Sequence, residues 1–195
     1  MKLFSRVIVL SVLLTSCVSQ PPPRPLESTP VTAPPRRVDA ESVLPWASEE
    51  PAAVVVNKAC KTLNVYQYGR LTHTYPAVFG RKPGRKLYQG DRRTPLGLYT
   101  IIDKDPHPRW SRFMLLDYPN EEDRRRYREA LETGKIPKRV GNPGPGGAIG
   151  IHGSDRESFN RAGIDWTLGC VSMLPKDIKE LYALVTVGTP VYIQD

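Results

Sequence analysis

The chain has 195 residues, 39% of them apolar and 25% charged. That length suits one domain of ordinary size with room for a tail. The apolar content is too high for global disorder, and three cysteines are too few for a disulfide-stapled miniprotein. Lys and Arg number 28 against 20 Asp and Glu, a surplus that points to anionic partners without choosing among nucleic acid, lipid headgroups and acidic polymers.

Met1 to Arg6 forms a short basic leader, and Val7 to Leu14 is an apolar run. As a helix that run spans only about 12 Å, far short of a ~30 Å hydrocarbon core, so residues 1–16 read as a secretion signal. The run ends in Leu14-Thr15-Ser16-Cys17, which resembles a bacterial lipobox. The resemblance implies cleavage before Cys17 and diacylation of its thiol. Ordinary cleavage with Cys17 a spectator is the alternative. Val18 and Ser19 follow, where Asp is absent, a pattern similar to Gram-negative lipoproteins sent to the outer membrane. The expectation is an exported periplasmic lipoprotein held at a membrane through Cys17, and export removes nucleic acid as a partner.

Residues 18–51 hold nine prolines, which remove backbone donors and favour extended conformations. With Cys17 they read as a tether, residues 17–51, able to reach up to ~100 Å. The folded domain is expected over residues 52–195. Val54, Val56, Leu63, Val65 and Tyr68 lie in alternating or short apolar runs, and Gly69-Arg70 separates them from Leu71 to Phe79, so two antiparallel strands joined by a turn are predicted. Leu96 to Ile102 and Phe113 to Tyr118 read as further strands. Asn120 is a plausible N-cap for a helix over Glu121 to Glu132, with Gly134 beyond its end. The arginines on that helix read as a solvated face. Asp105-Pro106-His107-Pro108 reads as a surface loop, and Gly141 to Gly150 as a Gly/Pro-rich loop without the Lys-Ser/Thr ending of a phosphate-binding loop. Pro175 fits the first turn of a helix that places Ile178, Leu181, Tyr182 and Val185 on one face. Gly188 stops it before a closing strand over Val191 to Ile193.

The chemistry concentrates in Ile149 to Met173, where His152-Gly153 is followed by Thr167-Leu168-Gly169-Cys170. A Cys attacks as thiolate, and an unperturbed thiol is only a few per cent ionised near neutrality, so a nearby imidazole is needed as base. Gly169 allows a tight turn that can aim amide N–H groups at an oxyanion. A metal site would need more ligands than His73 and His107 offer, and no CxxC or HxxxH spacing occurs.

This segment resembles the L,D-transpeptidase catalytic domain, the YkuD-like family, whose motif runs His-Gly, a gap, then Ser/Thr-x-Gly-Cys. The resemblance extends to Val54 to Gly80, to Gly90-Asp91-Arg92-Arg93-Thr94-Pro95-Leu96-Gly97 and to Gly188-Thr189-Pro190-Val191. Leu168 stands where the common motif has His, and Ser172 where Arg or Asn often stands. The sequence is closest to the branch reading Asp-Trp-Thr-x-Gly-Cys, matched by Asp165 to Cys170.

The resemblance implies a mainly β, β-sandwich-like catalytic domain with a few flanking helices, and no metal or organic cofactor. It implies peptidoglycan stem peptides as partners, with Cys170 as nucleophile and His152 as base. Gly169 and Cys170 are expected to supply oxyanion amides, and Thr167 to orient the turn. Arg156 or Arg161 could replace the missing cation at Ser172. The implied reaction is transfer of an acyl group from the third stem residue to an acceptor amine. L,D-carboxypeptidase or amidase hydrolysis, or a non-catalytic wall-binding lipoprotein, are the alternatives. Cys60 is expected as a partly buried free thiol that packs and does not pair with Cys170.

Overall fold

The computed structural model describes residues 49–195. The signal segment, Cys17 and nearly all of the tether lie outside them. Eight strands alternate with three helices: β1 (Ala53–Asn57), β2 (Thr62–Gln67), β3 (Arg70–Pro76), β4 (Gly97–His107), β5 (Ser111–Leu116), α1 (Glu121–Glu132), β6 (Gly150–Gly153), α2 (Glu157–Arg161), β7 (Val171–Met173), α3 (Pro175–Leu184) and β8 (Pro190–Gln194). The strands make one sheet in the order β3-β2-β1-β8-β4-β5-β6-β7. The domain is mainly β, as the sequence implied.

Strand β4 joins the two halves of that sheet. Gly97 to Thr100 pair with β8, and Ile101 to His107 pair with β5 across a register shift. The chain leaving β3 then reaches the opposite end of the order, where Val78 bridges to Ser172 and Gly80 to Thr167. The sheet therefore curls back on itself in a near-barrel and encloses one core. Leu63 and Val65 alternate inward from β2, and meet Val54, Val56, Tyr99 and Ile101 there. Each such side chain contributes roughly 1.5–3 kcal/mol by leaving water. Helix α3 covers this core with Ile178 and Leu181.

Several expectations shift by local chemistry. The opening hairpin contains three strands, because Lys58 to Lys61 form a turn. There the Asn57 side chain accepts from the Cys60 N–H, and Lys61 has a φ of 53°. Cys60 is therefore exposed on that turn and is not the partly buried free thiol expected. Cys170 is free, so the two are not joined. Asp105-Pro106-His107 is not a loop. It ends β4, where Pro106 faces Arg112 in the pairing with β5.

Helix α1 matches its expected bounds. Asn120 and Asp123 cap each other's backbone N–H groups, and the buried Asp123 carboxylate also accepts from the Tyr99 hydroxyl at 3.0 Å. The cap thus ties the helix to the sheet. Its arginines largely face its own acids, Arg125 and Arg126 both reaching Glu122, and exposed pairs of this kind stabilise little. The helix also supports the glycine-rich loop, since Tyr127 accepts from the Gly144 N–H at 2.9 Å.

A buried ion pair organises the segment before β4. Asp91 accepts from the Lys86 ammonium at 2.9 Å and from the N–H groups of Leu87, Tyr88 and Arg93. Both side chains are almost wholly buried. Nearby, Thr94 accepts from the Gly80 N–H at 2.9 Å, which fixes this segment to the strand bearing Val78. Asp91→Ala strands the Lys86 charge and three amides, at a cost of about 3–5 kcal/mol. Thermal unfolding of that variant is expected to fall by roughly 10 °C. A fall of less than about 3 °C would show that the pair does not hold the segment.

Candidate active site

Cys170 heads β7, and His152 lies on β6, paired in register with Ser172. Two parallel strands thereby bring together residues far apart in the sequence. Both side chains face one cleft of about 430 Å³, walled also by Trp110, Ala148, Trp166 and Thr167.

The turn that presents Cys170 is built around Thr167. Its hydroxyl accepts from the Gly169 N–H at 3.1 Å and donates to the Cys170 carbonyl at 2.7 Å. Its backbone is held from the other side, with the Thr167 N–H donating to Phe79 and the Arg81 N–H to Thr167. Thr167 thus bonds to the turn both through its hydroxyl and through its backbone. Gly169 has a φ of 147°, and a Cβ there would lie 2.8 Å from the Arg93 carbonyl oxygen and 2.9 Å from Ile149. No other residue fits without backbone movement. The Gly169 N–H, one of the two amides expected to face an oxyanion, is instead bonded to the Thr167 hydroxyl.

His152 is 2% exposed. Its Nδ1 lies 2.6 Å from the Gly153 carbonyl, which can only accept, so Nδ1 carries the proton and Nε2 holds the lone pair. The imidazole stacks on Trp110 at 4.3 Å between ring centres and meets Trp166 edge-on at 6.0 Å. Trp110 in turn stacks on His107 at 4.4 Å. Gly153 has no room for a side chain: a Cβ would lie 2.2 Å from the Trp110 carbonyl oxygen. Burial in this aromatic slot pushes the His152 pKa down to about 4, against the Gly153 carbonyl and Asp155, which favour the cation. Burial likewise pushes the Cys170 thiol up, with the Gly150 backbone and the Lys86 ammonium pulling against it. At rest the pair is a neutral thiol, directed at the Ala148 carbonyl at 3.6 Å, and a neutral imidazole.

Asn160, Lys61 and Arg81, which no sequence motif marks, also contact Asp165, Trp166 or Ser172. Asn160 accepts from the Trp166 indole N–H at 3.0 Å and donates to Ser172 at 3.2 Å, all three side chains being buried. Ser172 is therefore buried and committed to Asn160. Asp165 accepts from the Phe79 N–H and pairs with Lys61. Arg156 lines the cleft, together with Arg81 and Arg109. Arg161 does not, and pairs with Glu157 on α2. Leu168, where the family's common motif has His, is 67% exposed at the cleft mouth. Among the described residues no cluster of His, Cys, Asp and Glu could hold a metal ion.

A thiol, an imidazole with its Nδ1 bonded to a backbone carbonyl, and a hydrogen-bonded turn therefore meet in one cleft. Residues 51–193 match the YkuD L,D-transpeptidase catalytic domain, and the chain belongs to that family. It is 29% identical over 168 residues to the probable L,D-transpeptidase YcfS of Escherichia coli (strain K12), covering 80% of this chain and 47% of YcfS. The chain thus spans about half the length of that relative. The fold is shared with the helical cell shape determining protein Pgp2 of Campylobacter jejuni, at a TM-score of 0.53 and 23% identity, covering 74% of this chain and 47% of Pgp2. It is shared also with an L,D-transpeptidase from Mycobacterium smegmatis, at 0.50 and 17%, covering 74% and 59%.

The buried imidazole makes stability depend on pH. The unfolded chain protonates it near pH 6.5, whereas the folded chain does so only near 4. Between those values the unfolded state binds the extra proton, so stability falls as pH drops, by about 3 kcal/mol at most. Urea unfolding at about pH 7 and about pH 4.5 is expected to show this loss, and His152→Gln to remove that part of the slope. Equal slopes in the two proteins would place His152 in water.

Proposed function

We propose that the protein is a peptidoglycan L,D-transpeptidase in which Cys170 carries the acyl group. The observation that carries this reading is the convergence, in one cleft, of the Thr167-held Cys170 turn and an imidazole whose Nδ1 is committed to Gly153, leaving Nε2 as base. Substrate binding excludes water and brings the carbonyl of the third stem residue, meso-diaminopimelate, against Sγ. The thiol proton passes to His152 Nε2 as the S–C bond forms. The Cys170 N–H stabilises the oxyanion. The imidazolium then protonates the departing amine of the terminal D-Ala, leaving a thioester. An acceptor amine attacks that thioester, gives its proton to His152, and the thiol is restored by return of the proton to sulfur. Water in place of the amine would release a tripeptide.

The amide turn and the neutral base fit general-base catalysis better than a pre-formed thiolate–imidazolium pair. Burial raises the thiol and lowers the imidazole, so both shifts oppose charge separation before substrate arrives. No cofactor is required by these steps.

Incubation with tetrapeptide muropeptides tests the reading. New 3→3 dimers are the expected product, whereas tripeptides alone would make the enzyme a hydrolase. Cys170→Ala is expected to lower turnover ~10³-fold or more with the fold retained. A carbapenem-type β-lactam should acylate Cys170, as found by mass spectrometry. Full activity in Cys170→Ala, or no adduct on Cys170, would overturn the assignment.

The same proposal places the enzyme at a membrane, most simply the outer membrane facing the periplasm, through acyl chains on Cys17. Each buried CH₂ of such a chain contributes about 0.8 kcal/mol, so several chains together hold firmly. Cys17→Ser is expected to release the protein from the membrane fraction or to block its maturation. Unchanged fractionation would count against the anchor.

A further inference from the structure

Three guanidiniums line the cleft, and they are not equivalent. Arg109 is neutralised by Asp155, which also accepts from the Trp110 indole N–H. Arg81 and Arg156 make no ion pair among the described residues. Both are held against one tryptophan. The Arg81 Nε–H donates to the Trp166 carbonyl at 2.8 Å, and Arg156 stands 5.3 Å from the centre of the Trp166 ring. Arg156 also lies 5.9 Å from the Phe159 ring. Trp166 itself is fixed by Asn160. Resting a guanidinium on a fixed aromatic face limits its freedom before a ligand arrives, and leaves its donor edge available.

A solvated arginine on a surface is ordinary. Two without acidic partners, one donating to the Trp166 carbonyl and the other resting on its ring, and both lining the cleft of Cys170, are a built arrangement. Ser172 strengthens the point. It is 0% exposed and bonded to Asn160, so the position two residues after Cys170 supplies no charge to the cleft. Uncompensated positive charge beside Cys170 comes instead from the two ends of Trp166.

We propose that Arg81 and Arg156 form a carboxylate clamp that selects stem peptides by the ionisation of the carboxyl groups flanking the attacked bond, and so rejects peptides in which the diaminopimelate carboxyl is amidated. The clamp rests on the stem-peptide reading above. A tetrapeptide donor carries two such groups, the free carboxylate of the diaminopimelate side chain and that of the terminal D-Ala. A carboxylate accepts two parallel N–H bonds from a guanidinium and matches its charge. A carboxamide is neutral and turns an NH₂ donor towards guanidinium donors, so one bond is lost and the charge is left without a partner.

The test uses the full chain in detergent with two donors, a disaccharide tetrapeptide bearing free meso-diaminopimelate and the same molecule amidated at that carboxyl. Wild-type kcat/KM is expected to favour the free acid by tenfold or more, mainly through KM. The double variant Arg81→Gln/Arg156→Gln is expected to lose at least two thirds of that preference, and Arg156→Lys with Arg81 intact to keep more of it. Thermal midpoint and the rate of Cys170 alkylation by iodoacetamide report whether the variants retain the turn. A wild type that favours the free acid by less than tenfold, or a double variant that keeps its preference, overturns the clamp. A wild type that converts neither donor overturns the stem-peptide reading itself, and the clamp with it.

Discussion

The Thr167 hydroxyl accepts one hydrogen bond and donates another within four residues, and this pair of bonds sets where Cys170 stands. The turn it closes cannot drift, because its backbone is bonded on one side to the segment after β3 and its Gly169 is pressed against Arg93 and Ile149 on the other. Those contacts exist only when the sheet has curled far enough for Val78 to meet Ser172. Closure of the sheet and placement of Cys170 therefore rest on the same contacts. The sequence segment around Asp91 takes part through the Gly80 N–H and Thr94, which ties it to the turn that bears Cys170.

The cleft separates a dry interior from a charged rim. His152 sits between Trp110 and Trp166, and each tryptophan carries an arginine on its outer side. The aromatic slot keeps the imidazole neutral by denying it water, and the arginines stay at the edge where their own solvation is largely retained. An arginine placed inside the slot would lower the thiol but would cost several kcal/mol in desolvation without a partner. The arrangement lets the rim attract an anionic ligand while the interior keeps a base able to accept a proton.

What could be read in the sequence was whatever is contiguous. His152-Gly153 and Thr167 to Cys170 announce themselves because nucleophile, turn and base occupy short runs of fixed composition. Helix α1 was legible for the same reason, its Asn120 cap and acidic first turn being local. The Lys58 to Lys61 turn was not, since it depends on the Asn57 side chain and a left-handed Lys61 without glycine or proline to mark it. Strands β6 and β7 were hidden by their shortness and by glycine, whose presence in β6 reflects packing against β5 rather than a loop. Trp110, Asn160 and Arg81 acquire their roles only through tertiary contacts, as when Arg81 meets the carbonyl of Trp166 across 85 residues.

Ser172 shows how one departure from a family pattern rearranges the charges of a site. With a small hydroxyl two residues after Cys170, that position turns inward and is satisfied by Asn160. Asn160 then has its carbonyl oxygen left for the Trp166 indole, and Trp166 becomes a fixed platform. A long cation at position 172 would displace this network, because a buried side chain of 0% exposure offers no path to solvent for a guanidinium. The serine and the pair of arginines around Trp166 are thus alternatives to an arginine at 172, not additions to it. The positive charge of the cleft thus stands around Trp166, and position 172 contributes none of it.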